Sequence, residues 1–233
     1  MKYFVSSNLN YFKKTYPFIV KSLIESNISS KDIFMIVGSC NGVIEFDNIF
    51  DINIFFVDYN SFDFNALIYL SENFDTVDAE KIFLLHDTCL VGKNFKEYSN
   101  NYDENCLFKK LHKSISMNIG MYSLKMLQNN KSLQNFKMYP KDKDELQRSK
   151  EFCVMKEDYI FNQFKNKENN QSQYYSLYEE SKFLKEEQLN FYFSDYYIDY
   201  LKKIKRRIQY IPSLDLYKFQ ANIGWQSKWI VEI

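Results

Sequence analysis

The chain has 233 residues, of which 45% are hydrophobic and 18% aromatic, enough apolar material for one domain with its own core. Thirty Lys and Arg balance thirty Asp and Glu, so no whole-molecule field draws the chain to nucleic acid, and Lys202-Lys-Ile-Lys-Arg-Arg207 reads as one solvated helix face. Cys40, Cys89, Cys106 and Cys153 form no Cys-x-x-Cys pair and only two histidines occur, which excludes a zinc knuckle or a disulfide scaffold and predicts reduced thiols in a cytoplasmic setting. No apolar run approaches the ~18 residues of a transmembrane segment, and the N-terminus turns polar after three apolar residues, so an unsecreted chain is expected.

In chain order, residues 3–6 predict a short strand, after which Thr15 is placed to cap a helix with Pro17 in its first turn. Tyr16, Ile19, Val20, Leu23 and Ile24 give that helix one apolar stripe. Asp32-Ile-Phe-Met-Ile-Val37 predicts a buried strand closed by Gly38-Ser39, and Ile52-Asn-Ile-Phe-Phe-Val57 another that ends in Asp58-Tyr59-Asn60. Ser61 is placed to cap a helix with Phe62, Ala66, Tyr69, Leu70 and Asn73 on one side and Asp63 in its positive first turn. The run Lys81-Ile-Phe-Leu-Leu85 then ends abruptly in His86 and Asp87. Near-continuous apolar strands alternating with helices predict an α/β fold, a mostly parallel central sheet with helices on both faces. Neither Gly-x-Gly-x-x-Gly nor Gly-x-x-x-x-Gly-Lys-Ser/Thr is present, so the dinucleotide and P-loop versions are not supported.

The second half has another character. Residues 114–122 read as one more strand with a tight approach at Gly120, followed by a helix from Ser123 to about Asn129. Lys141 to Lys150 is a charged connector or helix, and Asn166 to Gln173 a polar low-complexity region. Between them Ile160, Phe161 and Phe164 share a helical face, and residues 207–211 and 229–233 read as closing strands.

Ligands of open α/β sheets bind beyond the carboxyl ends of the strands, which makes the polar tip at His86-Asp87 a site candidate. An acid ending so apolar a strand must be solvated in a cleft, paired, or bound to a cation. Mg²⁺ and Mn²⁺ suit oxygen ligands and take one or two carboxylates beside substrate phosphates. His86 alternates to the opposite face, where it is either a ligand or a hydrogen-bonded core group. Asp58, at another strand tip, is either a ligand for a ribose or base or a cap for the next helix. Cys89 reads as a small buried apolar residue, with no base evident beside it. Glu157-Asp158 begins a helical segment, where a carboxylate facing a cleft accepts a proton from a substrate hydroxyl. By itself the pair is weak evidence: about four adjacent acidic pairs are expected by composition, and five occur.

The order of Ser6-Ser-Asn8, Asn60-Ser-Phe-Asp-Phe-Asn-Ala-Leu67, His86-Asp-Thr-Cys89, Asn118-Ile-Gly-Met-Tyr122 and Lys156-Glu-Asp158 resembles GT-A (Rossmann-like) glycosyltransferases of the family-2 type. It is similar in particular to small glycosyltransferase-like proteins of large DNA viruses, and the resemblance covers most of the chain. It implies transfer of a sugar from a nucleotide-diphosphate donor, UDP-linked by preference, to a glycan or other hydroxyl acceptor with inversion. Residues 1–125 would form the nucleotide half and residues 126–233 the acceptor and catalytic half. The resemblance assigns nucleotide binding to Ser6, Ser7, Asp58, Asn60, His86 and Asp87. It assigns a divalent cation, Mn²⁺ or Mg²⁺, to Asp87 with His86, and the acceptor side to Asn118, Gly120 and Tyr122. Asp158 would be the catalytic base and Glu157 the runner-up, while Tyr122, Tyr159 and Trp225 are candidates to stack on sugar rings. For a viral chain the compartment would be the host cytoplasm. The sequence departs from the family pattern at two places. His86-Asp87-Thr88 supplies one carboxylate where the family has Asp-x-Asp, and Val37-Gly38-Ser39 lacks the aspartate many relatives carry there. The alternatives are a nucleotidyltransferase, whose glycine- and arginine-rich N-terminal loop is missing, and a catalytically inactive glycosyltransferase-like binding module.

Overall fold

The apolar runs of the first ninety residues become the strands of one sheet in the computed structural model, which describes residues 1–40, 42, 45–102, 109–110, 118–128, 130–156, 159, 175–176, 180–184 and 207–220. Strand β1 (Lys2–Asn8) leads into helix α1 (Leu9–Glu25), and β2 (Ile33–Gly38), β3 (Asn53–Val57), α2 (Asn65–Asn73) and β4 (Lys81–His86) follow. The chain continues through β5 (Cys89–Val91), α3 (Phe95–Asn100), β6 (Lys109–Lys110), β7 (Gly120–Ser123), α4 (Leu124–Gln128) and α5 (Lys143–Met155). The last described elements are β8 (Tyr175–Ser176), β9 (Lys182–Leu184), β10 (Arg207–Ile211) and β11 (Leu216–Gln220).

The central sheet has the order β3-β2-β1-β4-β7. Its first four strands are parallel, and β7 runs antiparallel on β4. Residues of β1 alternate between two cores, as a period of two requires. Tyr3 and Val5 join the cluster under α1, whereas Phe4 joins the cluster under α2 and stacks on Phe34. The mostly parallel sheet covered on both faces is therefore present. A second sheet, β5-β11-β10-β9, is antiparallel. It joins a strand directly after β4 to a hairpin more than a hundred residues later, and packs on α1 through Phe18. Strands β6 and β8 form a short parallel pair. Among the described residues no helix is long and apolar enough to cross a membrane.

Two local expectations need correction. Thr15 does not cap α1, which begins at Leu9 straight after β1 and carries Pro17 in its interior. Phe12, Tyr16, Ile19, Val20 and Leu23 are all buried in one cluster; at roughly 1.5–3 kcal/mol each their burial exceeds the ~3 kcal/mol that an interior proline costs. Ser61 does not cap α2 either. A 3₁₀ turn, Phe62–Phe64, intervenes, and the Ser61 hydroxyl donates to the Phe136 carbonyl while accepting from the Met138 N–H. The charged stretch from Lys141 resolves into α5, the helix its reading allowed, where the N-cap Asp142 carboxylate accepts from the Glu145 N–H, an orphan donor of the first turn, and the Glu145 carboxylate reaches back to accept from the Lys141 N–H before the cap. The expected closing strand 229–233, the helical face of Ile160, Phe161 and Phe164, the region 166–173, most of the basic hexamer, Cys106 and Trp225 lie outside the described residues.

The loop after β3 is fastened to the ends of β1 and β2. Asn65 donates from Nδ2 to the Ser7 carbonyl at 2.7 Å, and its Oδ1 accepts from the Ser61 N–H at 2.7 Å. Gly38, the last residue of β2, makes this approach possible: a Cβ there would stand 2.5 Å from Asn65 Nδ2 and 2.9 Å from the Asn60 Cα. Gly38→Ala is expected to cost about 1–3 kcal/mol by overpacking, read as a lower urea midpoint with an unchanged m value.

Candidate functional site

In this strand order the chain leaves β1 toward β2 and β3 on one side and returns to β4 on the other, so the direction of winding reverses between β1 and β4. A crevice opens beyond carboxyl ends at such a reversal. Ser6, Ser7 and Asn8 end β1 there; Ser6 pairs with His86, and the Asp87 N–H continues the ladder to the Ser6 carbonyl.

The two residues at the tip of β4 face different layers. Asp87 turns toward α1, where its Oδ2 accepts from the Ser7 hydroxyl at 2.7 Å and from the Thr15 hydroxyl at 3.3 Å. Desolvation holds its carboxyl above the ordinary carboxylate value. The Ser7 hydrogen bond and the Lys218 charge oppose that rise, the Asp63 charge adds to it, and the Thr15 hydrogen bond opposes it. His86 turns toward the 62–64 turn, with Nδ1 3.3 Å from Asp63 Oδ1 and 3.2 Å from Lys218 Nζ. One ring nitrogen cannot donate to a carboxylate and accept from an ammonium at once, so the tautomer selects between these contacts. Lys218 also donates to the Thr88 hydroxyl. It arrives from β11, whose pairing with β5 sets Lys218 beside Cys89.

Of the other expected residues, Ser6 donates to the Asp63 carbonyl and accepts from the Ala66 N–H, which fastens α2 to β1. Asp58 is exposed at the tip of β3, three strand spacings or about 14 Å from β4. The Asn60 N–H donates to the Met138 carbonyl. Asn8 Oδ1 and Asn60 Oδ1 are buried acceptors with no hydrogen bond among the described residues, each an uncompensated cost of about 1–3 kcal/mol. Asn8 stands at the N-cap of α1 without a side-chain capping bond, and the first turn of α1 carries no acid. Cys89 is buried, and desolvation pushes its thiol up, which suits the apolar role read for it.

Gly120 pairs with Leu84 of β4, so the Asn118 turn arrives at the His86 end of the sheet. Asn118 takes a left-handed φ of 53° and Gly120 a φ of 149°. Tyr122 corrects an expectation: it is fully buried in the α2-side core, its hydroxyl donating to the Asn118 carbonyl at 2.9 Å, and offers no face to a sugar. The Tyr159 ring packs on Phe136 and its hydroxyl donates to Ser132. Glu157 and Asp158 lie outside the described residues, whose convergence with Asp87 is therefore not part of this geometry. Sequence reasoning missed Thr15, Asp63 and Lys218 as members of the cluster. The one signal for Lys218 was a lone cation inside the otherwise apolar stretch Leu216 to Phe219.

No family model matches the chain, and no curated protein matches it. Among solved structures, the crystal structure of S. aureus TarS 1-349 aligns with 64% of this chain and 54% of its own at 12% identity and a TM-score of 0.37. The chain thus spans about half the length of that structure, and a likeness of this size fixes neither fold nor activity. Fold and site together define an open α/β protein with a polar cluster at the winding reversal of its sheet.

Proposed function

We propose that the chain is a GT-A-type glycosyltransferase that moves a sugar from a nucleoside diphosphate, UDP by preference, to a hydroxyl acceptor with inversion. The observation that carries this reading is the polar cluster at the carboxyl ends of β1 and β4, where Ser7, Thr15 and Asp87 are joined by hydrogen bonds and Asn8 and Asn60 keep buried acceptors without a partner among the described residues. Nucleobase N–H groups and sugar hydroxyls are donors for such acceptors. Residues 1–125 serve the donor nucleotide, with Asp58 and Asn60 toward the base or ribose, and residues 126–233 serve the acceptor, beside the Asn118–Gly120 turn. Asp158, backed by Glu157, takes the acceptor proton as the new C1–O bond forms; the bond from C1 to the phosphate oxygen breaks and the nucleoside diphosphate leaves.

A divalent cation fits the described donors poorly. Both hydroxyl contacts of Asp87 fall on one carboxylate oxygen, His86 Nδ1 is engaged by Asp63 and Lys218, and among the described residues no three His, Cys, Asp or Glu gather to hold a metal.

The test is a thermal-shift screen with UDP, GDP and their sugars, with and without Mn²⁺, followed by donor hydrolysis on the best ligand. Stabilisation with slow hydrolysis is expected. No nucleotide stabilising the protein would sink the reading, and binding without turnover under every acceptor tried would leave a binding module. Asp158→Asn is expected to lower transfer by about 10²–10⁴-fold, the usual worth of a general base, with nucleotide affinity nearly unchanged. Full activity in that variant would remove Asp158 from the role.

A further inference from the structure

Lysine is almost never fully buried unless it is paired with an opposite charge. Lys218 is 4% exposed, yet among the described residues no carboxylate oxygen lies within the 4.0 Å ion-pairing distance of its ammonium. Its contacts are with His86 Nδ1 and the Thr88 hydroxyl. An ammonium has three N–H donors; Thr88 takes one and His86 a second only in the tautomer with Nδ1 unprotonated, so among the described residues at least one remains without an acceptor. Asp87 and Asp63 supply negative charge nearby, but neither reaches the ammonium within ion-pairing distance, and the Asp87 carboxylate accepts from Ser7 and Thr15 instead. A buried cation that has no carboxylate partner among the described residues, at the carboxyl end of β4, is a costly arrangement, and an anion reaching it relieves the cost.

We infer that Lys218 binds the diphosphate of the ligand and supplies there the positive charge that a divalent ion would otherwise bring. The inference deepens the reading above and rests on it for the nucleoside part of the ligand. Three features favour phosphate as the anion. The remaining ammonium N–H needs a strong acceptor, α1 follows its N-cap Asn8 with neither a side-chain cap nor an acid in its first turn, and the poor fit of the acidic residues to a metal leaves the counter-charge for a diphosphate to cations, of which Lys218 is buried at this tip while Lys150 stands over the Tyr11 and Phe62 rings.

The experiment is calorimetric titration of the full chain with inorganic pyrophosphate and with UDP, in EDTA and in Mn²⁺, for wild type, Lys218→Met and Lys218→Arg. Wild type is expected to bind pyrophosphate in EDTA. Lys218→Met should weaken it at least tenfold and reduce the salt dependence of the binding constant by about one charge, and Lys218→Arg should restore part of the affinity. Because methionine removes a buried unpaired charge, the thermal midpoint of Lys218→Met should equal or exceed that of wild type; a strut would lose stability instead. Pyrophosphate binding that requires Mn²⁺, that is absent, or that Lys218→Met leaves unchanged overturns the inference. Pyrophosphate binding through Lys218 with no gain from the nucleoside of UDP or GDP keeps the inference and sinks the glycosyltransferase reading. Mn²⁺-dependent UDP-sugar hydrolysis that survives in Lys218→Met does the reverse.

Discussion

Asp87→Asn is expected to strengthen metal-free pyrophosphate binding, by several-fold to about tenfold, and to leave the fold more stable at neutral pH than wild type. The affinity gain follows from charge: a carboxylate in the crevice repels a diphosphate, and one unit charge several ångströms away is worth on the order of 1–4 kcal/mol at the effective dielectric of such sites. Asparagine keeps the shape and an oxygen for the Ser7 hydroxyl. The opposite sign is expected if Asp87 instead grips a cation, because asparagine would then abolish the metal-dependent part of binding. The stability gain follows from desolvation, the leading cause that raises the Asp87 carboxyl above its ordinary 3.8. As pH climbs past 3.8 the unfolded chain releases this proton while the folded chain retains it. The native state then holds more protons than the unfolded one, and stability declines with rising pH until the raised folded value is passed. Asp87→Asn removes that decline, so its advantage should grow from pH 4 upward and level off. Urea midpoints of both proteins between pH 4 and pH 8 measure it, and a variant that loses ground as pH rises would contradict the assignment.

The strands that build the site were legible because each is a continuous apolar run with a polar end; β4 ends in the polar pair His86-Asp87, the first still buried and the second half-buried. What misled the sequence reading was local rules that tertiary burial overrides. Thr15 and Pro17 look like a helix start, but Phe12 already belongs to the buried stripe four residues before Tyr16, and the hydroxyl thought to cap a helix reaches Asp87 instead. Asp63 was read for its place near a helix terminus, and the structure puts it against His86. Lys218 was illegible for another reason. Its significance depends on His86 and Thr88, contacts more than a hundred residues away in sequence, and no periodicity in Leu216-Tyr-Lys-Phe-Gln220 distinguishes a cation buried at a site from one on a solvated edge.

Asp215 holds that lysine in place, and Asp215→Ala is expected to cost about 3 kcal/mol while abolishing the contribution of Lys218 to pyrophosphate binding. Asp215 forms the turn between β10 and β11 with a left-handed φ of 50° and is only 7% exposed. Its Oδ2 accepts from the Asn94 N–H at 3.1 Å, its Oδ1 from the Tyr210 hydroxyl at 3.2 Å, and its carbonyl from the Gly92 N–H at 2.7 Å. The late hairpin is thereby pinned to the segment between β5 and α3, and three residues further on Lys218 reaches Thr88. Alanine strands two donors, at about 1–3 kcal/mol, and meets the left-handed backbone at a further 1–2 kcal/mol. Asp215→Asn tolerates that backbone and keeps one acceptor, so it should lose only about 1 kcal/mol, while Asp215→Gly should fall between. Gly92→Ala attacks the same joint from the other side, since a Cβ there would stand 2.1–2.2 Å from the Asp215 carboxylate, and it should resemble Asp215→Ala. Chemical denaturation gives the order Asn, Gly, Ala. Equal losses across the three would mean that the turn conformation and the carboxylate do not fix the hairpin, and pyrophosphate affinity unchanged in Asp215→Ala would detach Lys218 from this support.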